Sequence, residues 1–381
     1  MIKINKKFIF FTVVSFIYAY LTGGYLSYSI FYGFLLAIIF SLIYMKIIMK
    51  SIEINVEFQE DIFNTFKETE ITTVIKNYSF LPIAYMEINN KIMYKLDKSY
   101  RGNLVSLKTY ENKRLKENIV FNERGLYNFG QFNISIKDIF SILTFTNILN
   151  NERIIKVYPK VYSAEFIDLY DKDLTKAIIN ERGKIEEEYL TTDIRKYRMG
   201  DNLKKIHWKI SAKHGELYVK NEDTVSGGRV IIFLNMNKED YSLQYHNEVE
   251  EKLISLCVSL VNTMRINGTK VNINISNYEQ KSFYIRTKKD FYELMEYFIT
   301  HKSQGKSNFP NLIIDKISDY KNIVVITPKI SKELKEKLIF LSIMKHKVEV
   351  FYYSNHSENF DNIISLKQFY IKCVDIRKIY S

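Results

Sequence analysis

The side chains best suited to chemistry gather in residues 189–223, YLTTDIRKYRMGDNLKKIHWKISAKHGELYVKNED. His207 and Ser211 stand four apart, a spacing that puts a base and a hydroxyl on one helix face. Asp201 and Lys209 add a carboxylate and an amine, so one reading is a hydrolase or lyase acting on a cell-envelope precursor. Two arguments weigh against it. A mid-helix serine has neighbouring N–H groups already bonded along the helix, which leaves no oxyanion donors, and no carboxylate stands where it would orient His207. Trp208, the single tryptophan, lies among lysines and could stack a base, yet single-strand binders use several rings along a groove. Phosphate-binding glycine loops and paired Cys/His metal spacings are absent from the sequence. The expectation is a non-enzymatic segment with no catalytic residue, no cofactor and no nucleic-acid partner.

The elements that must position these residues follow from the same stretch. Gly200-Asp201 reads as a turn whose carboxylate caps a helix running from Asn202 to His214. Leu203, Ile206 and Ile210 share one face, while Lys204, Lys205, Lys209 and Lys213 share the other. Arg195, Lys196 and Arg198 extend the basic surface toward the N-terminus. Gly215 falls where a left-handed C-terminal cap belongs, and Leu217-Tyr218-Val219 continues as a strand. Trp208 is expected to pack at a domain seam, and a basic face of this kind is usually solvated or ion-paired.

The spacing Arg195-x-Tyr197, Gly200-Asp201, Ile206-x-Trp208-Lys209-x-Ser211-Ala212-Lys213-x-Gly215-x-Leu217-x-Val219-Lys220-x-Glu222 resembles the signature of the "domain of unknown function 58" family. Two earlier segments, ERGLYNFGQFNISIKDIFSIL from Glu123 and IKVYPK from Ile155, resemble it as well. The resemblance implies a membrane protein whose C-terminal part is similar to a von Willebrand factor A domain. It also implies partners: a MoxR-type AAA+ ATPase and a transglutaminase-like membrane protein. Metal-binding members of that domain class carry Asp-x-Ser-x-Ser after the first strand, where this chain has Asn235-Met236-Asn237-Lys238-Glu239. Amides in place of carboxylates, with a lysine alongside, lack the charge that a hard cation needs. Asn235, Asn237 and Thr327 are therefore expected to mark a degenerate site that holds no metal.

A chain of 381 residues with 46% hydrophobic residues exceeds one core and suggests two soluble domains plus an appendage. The net charge of +12 suits an acidic partner or an anionic surface. Lysine is spread throughout the chain, however, so the total says little by itself. Cys257 and Cys373, the only two cysteines, suggest buried reduced thiols and no disulfide framework.

Taken in order, residues 1–50 hold two apolar runs, Phe8–Leu21 and about Tyr28–Met45, with Lys3, Lys6 and Lys7 before them and Lys46 and Lys50 after. This predicts a transmembrane hairpin with cytoplasmic flanks. A signal peptide is the rival, although no small-x-small cleavage site follows Tyr20. Residues 51–160, including YMEINNKIMYKL at 85–96, alternate as short strands and predict an all-β sandwich acting as spacer or interaction module. Residues 161–188 form a charged linker and 189–223 the signature segment. Residues 224–381 alternate apolar strands with amphipathic helices, which predicts an α/β von Willebrand factor A-like, Rossmann-type domain with a mostly parallel sheet. The expected whole is a multidomain, membrane-anchored scaffold or adaptor.

Overall fold

The computed structural model describes residues 2–163, 194–197, 206, 208–220, 229–241, 246–317, 320, 322–353 and 358–379. The chain divides into two units, Met1–Tyr158 and Pro159–Ser381. Most of the expected linker lies outside the described residues.

The first unit opens on a short strand, β1 (Ile2–Ile4), and a helix, α1 (Lys6–Thr22), whose first turn is capped by the side chain of Asn5 accepting from the Lys7 N–H at 3.1 Å. After Gly23-Gly24 the chain turns into α2 (Tyr25–Ser51). Phe8 meets Phe34 and Phe16 meets Phe31, so the two helices run antiparallel. Hydroxyls of Thr12, Ser15, Thr22 and Ser29 donate to carbonyls three or four residues back. That satisfies polar groups which an apolar solvent would otherwise penalise. Among the described residues α2 is the one helix long and apolar enough to cross a membrane, while α1 has 17 residues.

Strands follow: β2 (Ile52–Phe58), β3 (Phe63–Asn64), β4 (Glu68–Asn77), β5 (Ile83–Asn90), then helix α3 (Lys91–Leu96), then β6 (Asn103–Leu107), β7 (Asn112–Val120), β8 (Gly125–Asn128), β9 (Gln131–Lys137), β10 (Leu143–Asn150) and β11 (Ile154–Tyr158). They form the sheets β2-β4-β7, β1-β10-β9-β5-β6 and β3-β11-β8. One hydrophobic core joins all three, from Ile54, Ile71 and Ile75 through Phe121 and Phe129 to Ile134 and Ile136. The C-terminal part of α2 belongs to that core, with Tyr44, Met45 and Ile48 buried in it. The run 85–96, expected as strand, is strand only to Asn90. There the Asn90 side chain accepts from the Ile92 N–H at 3.0 Å and starts a helix instead.

In the second unit two short strands, β12 (Ile194–Lys196) and β13 (Tyr218–Lys220), pair antiparallel around helix α4 (Trp208–His214). The main sheet then builds from β14 (Arg229–Asn235), α5 (His246–Ile266), β15 (Lys270–Ser276), β16 (Lys281–Ile285), α6 (Lys288–Thr300), α7 (Phe309–Asp315), β17 (Asn322–Thr327), α8 (Lys332–Ile343), β18 (Lys347–Tyr352), α9 (Glu358–Gln368) and β19 (Lys372–Asp375). Strand order is β16-β15-β14-β17-β18-β19, parallel throughout except for the antiparallel edge strand β16. The near-continuous apolar strands Val230–Leu234 and Ile323–Ile326 are buried in the centre, as a sheet covered on both faces requires. Cys257 is buried in α5, and burial pushes its thiol up to about 12; a thiol in that state is inert.

Candidate functional site

Two places in the second unit gather the residues singled out by sequence. One is the segment around α4. The helix occupies Trp208–His214 rather than Asn202–His214 as far as the described residues show, because Ile206 is not helical: it makes an antiparallel bridge to Val219 and is buried. Its backbone is drawn into the β12–β13 ribbon, so tertiary pairing overrides the three-and-four spacing that suggested helix. Gly200, Asp201, Lys204, Lys205, His207 and Glu222 lie outside the described residues, as do the side chains of Arg195 and Lys209.

Ser211 is buried, and its hydroxyl is committed to the strand beside it. The Oγ accepts from the Tyr218 N–H at 2.9 Å and lies 3.5 Å from the Tyr218 carbonyl. The hydroxyl thereby fixes α4 against β13. Tyr197 is half-buried, and its N–H donates to the Leu217 carbonyl. Lys196 pairs with Glu216, and Lys213 is exposed. Gly215 takes φ +69° and its N–H donates to the Ser211 carbonyl at 2.9 Å, which closes the helix with a left-handed residue. Trp208 corrects the expectation of a buried seam residue. It is 68% exposed, because it starts a helix whose inner face is supplied by Ser211.

The second place is the carboxyl edge of the main sheet. β14 is flanked by β15 on one side and β17 on the other, so the chain order reverses there, the point at which sheets of this kind place their ligands. Side chains from the strand ends meet there and are buried. Asn235 Nδ2 donates to Asp240 Oδ2 at 2.9 Å and to Thr327 Oγ1 at 3.0 Å, and Asn235 Oδ1 accepts from the Asn237 N–H. Asn237 Nδ2 donates to the Ser307 carbonyl, and its Oδ1 accepts from Ser276 Oγ at 3.0 Å. Amides and hydroxyls here satisfy one another, and among the described residues no group of three His, Cys, Asp or Glu could hold a metal ion.

This network makes a prediction. Asn235→Asp would set a carboxylate against Asp240 and remove two donated bonds, for a loss of about 2–3 kcal/mol near neutral pH. Like charges raise the carboxyl pKa in the folded state. The stability that protonation confers is therefore kept at low pH and lost as pH rises through that folded value. Thermal melts of variant and parent should converge toward acid and separate toward pH about 8.

Sequence reasoning missed a neighbouring cavity of about 350 Å³ lined by Asn277, Tyr278, Lys281, Tyr297, His301 and Lys302. His301 stacks on Tyr297 with ring centroids 4.1 Å apart and planes 10° apart. The i, i+4 spacing of Tyr297 and His301 at the end of α6 was the available signal.

With this geometry, the chain falls in the class of α/β domains joined to a β unit and an apolar N-terminal helix. Residues 193–348 match the family described as "Protein of unknown function DUF58", so the chain carries a DUF58 region. It is 17% identical over 284 residues to "Uncharacterized protein YeaD" of Bacillus subtilis (strain 168), covering 72% of this chain and 68% of that protein. Among solved structures it is similar to the SpRpn10 VWA domain, at TM-score 0.29 and 10% identity over 40% of this chain and 93% of that one. It is also similar to the CARDB domain of the PF1109 protein from Pyrococcus furiosus, at TM-score 0.19 and 18% identity over 28% of this chain and 90% of that one. Both scores are low, and the strand registers alone define the fold described above.

Proposed function

We propose that this protein is a membrane-anchored, non-enzymatic adaptor whose α/β unit, similar to a von Willebrand factor A domain of Rossmann type, displays the α4 segment to a protein partner. The observation that carries this reading is the exposed indole of Trp208 within the family region, on the same short helix as the exposed Lys213. Aromatic side chains held on a surface are characteristic anchors of protein interfaces. The Ser211 hydroxyl is buried and engaged by backbone, which supports the adaptor reading over the hydrolase one.

Both helices of the hairpin would cross the bilayer. Support comes from β1, which precedes α1 and pairs with β10, so the chain leaves and re-enters the same β unit. Cleavage after α1, as for a signal peptide, would remove a strand from that sheet. Lysines flanking both ends argue for a cytoplasmic β unit. By family resemblance, the partner is a MoxR-type AAA+ ATPase, with a transglutaminase-like membrane protein in the same assembly.

The test is crosslinking in native membranes, with Trp208→Ala beside the parent. Because the indole is exposed, the variant should melt within about 1 kcal/mol of the parent. It should nevertheless lose capture of the ATPase by about ten-fold or more, since an interface anchor is worth about 2 kcal/mol. Undiminished capture of the ATPase would move the interface away from α4.

A further inference from the structure

The turn between β9 and β10, residues Asp138–Ile142, lies at the end of the family-like segment that starts at Glu123 and has no part in the reading above. It lies between the entry of α1 and the body of α2. On one side the Asn5 N–H donates to the Ile142 carbonyl at 2.8 Å and Asn5 Nδ2 reaches the Ser141 carbonyl. On the other, Ser41 Oγ of α2 donates to Asp138 Oδ2 at 2.6 Å. Asp138 is buried and also accepts from the N–H groups of Phe140 and Leu143, while Ser141 takes φ +55°. A turn held this firmly would be expected to carry polar residues at its tip. It carries Ile139, 47% exposed, and Phe140, 56% exposed, with the Phe140 ring 5.9 Å from that of Phe40 on α2.

The length of α2 explains the tip. From Ala37 onward the helix packs against the core of the β unit, with Ala37 and Ile38 partly buried on it and Ser41 bonded to Asp138. The stretch left for lipid, Tyr25–Leu36, is roughly 12 residues or about 18 Å at 1.5 Å per residue, against about 30 Å of hydrocarbon. A span that is too short draws its flanks toward the acyl region or thins the bilayer. The flank here is Phe40, Ile139 and Phe140. Lys6 and Lys7 are exposed in the first turn of α1, next to Asn5 and therefore next to the turn.

We propose that the Asp138–Ile142 turn is a lipid-seating wedge, which inserts Ile139 and Phe140 at the boundary of acyl chains and headgroups of an anionic bilayer while Lys6 and Lys7 contact lipid phosphates. The occupant is lipid because the apolar tip is continuous with the apolar surface of α2 and is edged by cations, the composition of an interfacial element. The inference rests on the membrane anchoring proposed above. It adds which end of the β unit touches the bilayer and through which residues.

The single tryptophan makes the test direct. In a full-length Trp208→Phe background, Phe140→Trp reports on the tip and Leu36→Trp on the middle of α2. Tyr94→Trp reports on α3, which follows the opposite end of β5, about 20 Å away along the strands. Each variant is placed in nanodiscs of phosphatidylcholine and phosphatidylglycerol with brominated acyl chains. The wedge predicts quenching by more than half at 36 and at 140, a blue-shifted emission at 140, and little quenching at 94. Quenching at 36 with position 140 as bright as position 94 would overturn the wedge and leave the anchor standing. If position 36 is unquenched, the anchoring itself fails. Ile139→Trp repeats the measurement if Phe140→Trp does not fold. Equal quenching at 140 in discs of phosphatidylcholine alone would overturn the role of Lys6 and Lys7.

Discussion

Gly130→Ala should destabilise the β unit by about 3 kcal/mol or more, the upper end of what overpacking costs. A Cβ at Gly130 would stand 1.2 Å from the Asn151 carbonyl oxygen and 2.4 Å from its carbon. Neither atom can step aside, because the Asn151 N–H donates to the Gly130 carbonyl and the Phe129 N–H to the Arg153 carbonyl, locking the two segments in register. Next door, Phe129 is fully buried and stacks edge-on with Phe58 and Phe121, so any backbone shift at Gly130 disturbs the centre of the core. Gly215→Ala offers the contrast. Nothing lies within 4 Å of its Cβ, so it should cost only the left-handed strain of about 1–2 kcal/mol. Urea unfolding of the full chain in detergent would rank the two; a Gly130→Ala midpoint at or above that of Gly215→Ala would refute the clash.

Asp138→Ala should cost about 3–5 kcal/mol. Three donors would lose their acceptor together: the Ser41 hydroxyl and the N–H groups of Phe140 and Leu143. Each orphaned buried donor carries a penalty of about 1–3 kcal/mol, and the three are not additive. Asp138→Asn keeps an acceptor oxygen and should recover at least half of the loss. A thermal melt showing Asn no better than Ala would mean that charge, rather than hydrogen bonding, holds the turn.

Much of this architecture was legible because burial leaves a period in the sequence. Several strands of the β unit alternate, and β14, β17 and β18 are continuous apolar runs bounded by turn residues, so their kind follows from pattern, whereas β3 and β10 carried no signal that was read. Gly215 was legible for a local reason, since only a residue without a Cβ closes a helix in that way at little cost. The misses have a common cause in contacts distant along the chain. Ile206 carries helical spacing but pairs with Val219, and Trp208 has the size of a core residue but starts a helix whose covered face lies elsewhere. Helix α3 hid in a β-rich neighbourhood, although Asn90 was a readable cap. The Asp138 turn could not be anticipated, because its meaning depends on Ser41, which is 97 residues away.

The pairing of β1 with β10 has a consequence for how the protein is made. Ile2 meets Phe145, about 140 residues later, so at 5–20 residues per second the first strand waits about 10 s or longer for its partner to leave the ribosome. Meanwhile both apolar helices have been synthesised. If both cross a bilayer, as proposed above, the strand can close the sheet only once the chain has returned to the side from which it started. A nascent molecule with a single crossing would leave Ile2–Ile4 stranded across the lipid and the edge of β10 open, a ready template for pairing with another chain. On the two-crossing topology proposed above, completion of this sheet would act as a late checkpoint on insertion, one that separates correctly threaded molecules from those destined for aggregation or proteolysis.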